Sequence, residues 1–69
     1  MLIDKEKLRY DLAMQSALAA TVSQLIKGQT LNPAGVIPNY FALFYNQYGE
    51  GQPLHAKFLD ALTLLEESE

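Results

Sequence analysis

The chain has 69 residues, 49% of them hydrophobic and 19% charged, with a formal net charge of −3. That size excludes more than one domain, and that composition is that of a globular rather than a disordered chain. It contains no cysteine, which excludes a disulfide framework and points to a reducing, cytoplasmic compartment.

A core this small only just offsets the entropy of ordering the chain, so association with a partner or a second copy is the expected supplement. The N-terminus passes from Met1 straight into the mixed charges Asp4, Lys5, Glu6 and Lys7. It has no signal-peptide pattern, and the chain reads as a self-contained reading frame. The longest apolar candidate is interrupted by Gln15, Ser16, Ser23 and Gln24, so no membrane span is expected.

The first expected element is a helix over 4–27, with Asp4 as cap, good helix formers inside and Gly28 as its left-handed terminator. Leu8, Leu12, Leu18, Ala19, Val22, Leu25 and Ile26 fall on one broad face, read here as the core side. Ala13, Ala17 and Ala20 form a second strip beside Ser16 and Gln24. It reads first as helix propensity on a partly exposed face, and alternatively as a seam for a close neighbour.

Residues 28–39 hold Gly28, Asn32, Pro33, Gly35 and Pro38 and are expected to form an ordered loop pinned by Leu31, Val36 and Ile37. Asn32 and Pro33 can start a short helical turn, and Ile37 before Pro38 is expected to be extended. A second helix is expected over 39–48, capped by Asn39 and ended by Gly49 in the left-handed region. A third is expected over 53–66, with Pro53 at its first position and Leu54, Phe58, Ala61, Leu62 and Leu65 as its stripe. Glu66, Glu67 and Glu69 stand at the negative end of that helix, so its last turn is expected to fray. The fold class is therefore all-α, a small three-helix bundle forming a single domain over 1–69.

Catalytic signatures are sparse. A single histidine and no cysteine leave scattered carboxylates as the other metal ligands, so no metal or cofactor is expected. His55 reads as a half-exposed surface residue. No serine or threonine sits in a nucleophile elbow, the glycines match no phosphate-binding fingerprint, and Asp11 and Asp60 lack a defined separation. The chain is not expected to be an enzyme.

The order helix, turn, helix over 39–66 has a superficial likeness to a helix-turn-helix. Residues 36–69, however, contain one lysine and five acidic residues, a balance of −4, which disfavours phosphate contacts. A DNA-associated regulator and a small-ligand-binding protein are kept as alternatives.

Five of the seven aromatic residues, Tyr40, Phe41, Phe44, Tyr45 and Tyr48, lie within nine positions. On a helix they spread beyond one contact stripe. Phe41 and Phe44 are the core candidates, and Tyr40, Tyr45 and Tyr48 either rim the core or contact a partner. Asp11 breaks the pattern of its face: either it reaches water, or it is a buried carboxylate bonded to a tyrosine hydroxyl or a helix N-terminus. The expected function is a non-catalytic protein-interaction or self-association module acting through the aromatic helix. Its partner would be another protein or a second copy in a homodimer, with nucleic acid and membrane disfavoured.

Overall fold

A computed structural model describes residues 3–30 and 32–68, and the expected anchoring by Leu31 and the charge of Glu69 lie outside them. The order is α1 (Lys5–Ile26), α2 (Pro33–Gln47) and α3 (His55–Glu67), with α1 packed against both others. Among the described residues there are no strands, so the all-α three-helix expectation holds.

α1 starts as its sequence dictates. The Asp4 carboxylate accepts from the amides of Glu6 and Lys7 at 3.1 Å each, taking up two of the donors that a helix start leaves without partners. Gly28, at φ 83°, turns the chain out of the helix.

α2 is longer than expected and begins at Pro33. Most of the expected loop is therefore helix. Asn32, not Asn39, is the cap, its side chain accepting from the Ala34 amide at 3.2 Å, and Pro33 occupies the first turn, where a missing N–H costs nothing. Pro38 then lies inside the helix, and Ile37 is helical where an extended residue was expected. Pro38 cannot bond the carbonyl of Ala34, but both residues are exposed, so water can serve that carbonyl.

The turn after α2 also departs from expectation. Gly51, at φ 79°, takes the left-handed conformation assigned to Gly49. Gly49 is required for another reason: a Cβ there would lie 2.7 Å from Arg9 Nη2 and 3.1 Å from the Asn46 carbonyl oxygen. Pro53 falls in the turn, and α3 starts two residues later at His55. At its other end α3 runs to Glu67, with the Ser68 hydroxyl donating to the Leu64 carbonyl at 2.8 Å.

The core lies where three partial helices meet. Ala13, Tyr48 and Phe58 form its buried centre, with Leu8, Leu12, Phe41, Phe44, Tyr45 and Leu54 packed around them. These residues come from the N-terminal half of α1, the C-terminal half of α2 and the start of α3. Ala13 and Ala17 are both 0% exposed, and Thr21 on the same strip is buried, its hydroxyl donating to the Ala17 carbonyl. The small-residue strip is thus the packed side of α1.

The expected core face of α1 is overturned beyond its first two turns. Leu8 and Leu12 are half-buried, but Ala19 is exposed, and so are Leu18, Val22, Leu25 and Ile26, the last at 79%. Alanines let neighbouring helices approach closely along one side of α1, leaving the bulkier side chains facing away.

Candidate functional site

Two regions gather the side chains singled out above. The first is the junction of α1 with the end of α2. Arg9 is half-buried there, donating from Nε to the Tyr45 carbonyl at 2.8 Å, with its guanidinium carbon 3.9 Å from the centre of the Tyr45 ring. A cation at a helix C-terminus meets the negative end of the helix dipole, and its stacking on the ring adds to that. Tyr10, next to Arg9 on α1, meets Phe41, one turn before Tyr45 on α2, edge to face at 4.7 Å. The ring of Phe41 in turn lies 5.8 Å from that of Tyr45.

The three tyrosines do not form one contact surface. Tyr48 is buried at 9% exposure, and its hydroxyl shares a 2.8 Å hydrogen bond with Ser16 Oγ. Its ring and its polar handle are both engaged inside the chain. Tyr45 is half-buried and donates from its hydroxyl to Glu6 Oε2 at 2.7 Å. Tyr40 lies apart, lining an open groove of about 340 Å³ with Val36, Asn39 and Leu43, and its ring leans on Phe44 at 6.3 Å.

Asp11 is exposed. The face on which it sits is not the core side at that level, so the carboxylate is solvated as one reading anticipated. Among the described residues, the carboxylate bonded to a tyrosine hydroxyl is that of Glu6, five residues earlier.

His55 is half-buried, as anticipated. Its Nδ1–H donates to the Tyr48 carbonyl at 3.0 Å, since a carbonyl can only accept, and its ring stacks on Phe58 at 5.8 Å. Lys5, Glu6, Arg9, Tyr48, Glu50 and His55 contribute to a cleft of about 240 Å³ between α1 and the α2–α3 turn. Its polar side chains are largely spoken for: Arg9 by a carbonyl, Tyr48 by Ser16, His55 by a carbonyl and Glu6 by Tyr45. The cleft is a joint that ties helix ends together.

This joint is sensitive to alkali. The hydrogen bond to Glu6 holds the Tyr45 hydroxyl above the ordinary tyrosine value of 10.0, with desolvation and the Glu6 charge acting in the same sense and Arg9 opposing them. The folded chain therefore keeps this proton more tightly than the unfolded chain. The stabilisation is whole below the ordinary value and is lost as pH rises through the raised one. An ultraviolet titration of the phenolates should show one tyrosine ionising above the ordinary range, and that component should vanish in Tyr45→Phe. A late component surviving in that variant would assign it elsewhere.

The second region is the exposed stripe of α1. Leu18, Val22, Leu25 and Ile26 repeat at helical spacing along one side of the helix and are all more than 40% exposed. The sequence around them carries a signal that periodicity alone missed. Between Asp11 and Lys27 there is no charged residue, and between Lys27 and Glu50 there is again none. An apolar stripe within so long a neutral stretch is unusual for a surface exposed to water, where charged residues normally interrupt it.

No helix among the described residues is long and apolar enough to cross a membrane. Among those residues, no group of three or more histidine or carboxylate side chains is placed to hold a metal ion. The fold and the two regions define a small all-α protein with a polar joint at one end and a neutral, apolar helix face. Compared with known protein families, curated proteins and solved structures, the chain matches none.

Proposed function

We propose that this chain is a non-catalytic protein-interaction module of the cytoplasm that works by covering the apolar face of α1 with another polypeptide. The observation that carries the reading is the row Leu18, Val22, Leu25 and Ile26, exposed in a segment without charge. Interface centres are depleted of charged residues, and a contiguous exposed apolar patch on a small protein marks a contact surface. The lack of cysteine fits a reducing compartment.

This reading moves the contact surface away from the aromatic helix. Tyr48 and Tyr45 are engaged within the chain, and Tyr40 with its groove remains as a subsidiary contact. The polar cleft around Arg9 supports the module by fixing the helix ends.

A photo-cross-linking amino acid placed at Val22 and activated in the expressing cell tests the proposal, with the same group at the exposed Thr63 of α3 as control. A discrete adduct from position 22, whether with this chain or another protein, is the expected result. No adduct beyond the control pattern would overturn it.

A further inference from the structure

We infer that the partner covering α1 is a second copy of this chain, related by a two-fold axis that passes close to Val22, with the two α1 helices antiparallel. This rests on the reading of α1 as the contact face and adds what occupies it.

The single chain exposes more surface than its mass requires. The accessible surface is 4937 Å² for a mass of 7.7 kDa, whereas a compact monomer of that mass exposes about 4,300 Å². The excess, on the order of 600 Å² per chain, is what a pair must cover to reach the lower bound of about 1,200 Å² for a stable interface. The shape agrees: the radius of gyration is 13.6 Å, against about 11 Å for a compact chain of this length. Among the described residues no large side chain is fully buried. A single copy has not completed its core.

Charge favours the same face. At a net charge of −3 two copies repel one another least where they meet over a face without charge. α3 also exposes Leu59, Leu64 and Leu65, but Asp60, Glu66 and Glu67 stand among them, so pairing there would gather like charges. The stretch from Leu12 to Ile26 has none to gather. With no charge to match a charged partner, that face is complementary to itself.

The spacing of the stripe sets the register. Leu18 and Ile26 lie symmetrically about Val22, so an antiparallel pair sets Leu18 of one copy against Ile26 of the other and the smaller valine at the closest approach. This register also leaves Asp11 beyond the end of the opposing helix, where it stays hydrated. A two-fold moved toward the N-terminus would bury that carboxylate without a partner.

The absence of cysteine makes the test direct. In Val22→Cys the two thiols would face each other across the axis at an effective concentration on the order of 1 mM. At about 10 µM protein, oxidation with diamide should link the chains about 100-fold faster than in a Thr63→Cys control. Wild-type chain should sediment at twice its mass, and Val22→Lys at its single mass with its helical spectrum retained. A wild-type monomer at the highest soluble concentration, or cross-linking of Val22→Cys no faster than the control, would overturn the inference. If that result accompanies an adduct of a different protein at position 22 in the cell, the interaction module stands and only the second copy falls. If neither experiment gives an adduct, both fall.

Discussion

Replacing Phe58 by Ala is expected to cost about 3–5 kcal/mol, the range for removing a buried aromatic ring, and to leave much of the chain unfolded at room temperature. The reason is scale. A chain of 69 residues has a total stability of about 3–10 kcal/mol at ordinary values per residue. Among the described residues, Phe58 shares the buried cluster of the core with Ala13 and Tyr48. Its ring also supports His55, which bonds the Tyr48 carbonyl and joins the start of α3 to the end of α2. Removing the ring therefore opens a cavity and loosens the tie that holds α3. Leu64→Ala is the matched control, since Leu64 is 64% exposed and its loss should change stability by about 0.5 kcal/mol or less. Denaturant unfolding followed by circular dichroism measures both, at one fixed protein concentration because association would stabilise the folded chain. A loss below about 1 kcal/mol for Phe58→Ala would mean that α3 is not anchored through its first turns.

The helices were legible in the sequence because their signals are local. Asp4 and Gly28 bracket α1 through caps that depend on nothing beyond a few neighbouring residues. The start of α2 was misplaced because two Asn-containing signals competed. Asn32 followed by Pro33 is a cap with proline in the first turn, whereas Asn39 follows a proline that usually marks a boundary. Pro38 is exposed within α2, where water can meet the hydrogen bond it leaves out, and exposure is a tertiary property.

The direction of the core was less legible. A helical wheel weights large apolar side chains, so Leu18, Val22, Leu25 and Ile26 drew the core side toward themselves. What settles the direction is how closely α2 and α3 approach, and they approach over Ala13 and Ala17, whose small size contributes little to any hydropathy pattern. The same weighting makes Asp11 look anomalous and leaves open whether the tyrosines rim the core or face a partner. Once the alanine strip is the packed side, Ser16 on its edge meets the Tyr48 hydroxyl, and Glu6 and Arg9 meet Tyr45. Those pairs span more than 30 positions and have no local signature. The neutral run between Asp11 and Glu50, broken only by Lys27, was legible in principle, since it needs only the placement of charges along the chain.

The decisive comparison lies within α1. Ala13→Leu is expected to destabilise the chain by about 1–3 kcal/mol, or more if α2 must shift, because it inserts three carbons where nothing is exposed and neighbouring helices are in contact. Leucine is nearly as good a helix former as alanine, so propensity cannot account for a loss of that size. Leu18→Ala removes the same three carbons from a side chain that is 45% exposed and should cost the single chain less than about 1 kcal/mol. If two copies pair along this face, the Leu18→Ala loss will grow with protein concentration, because it then falls on the pair rather than the chain. The Ala13→Leu loss will not grow in that way, since it strikes each chain separately. Unfolding midpoints of both variants across a hundredfold range of concentration separate the two effects. A neutral Ala13→Leu beside a severe, concentration-independent Leu18→Ala would return the core of α1 to its leucine face and remove the surface on which the proposed function rests.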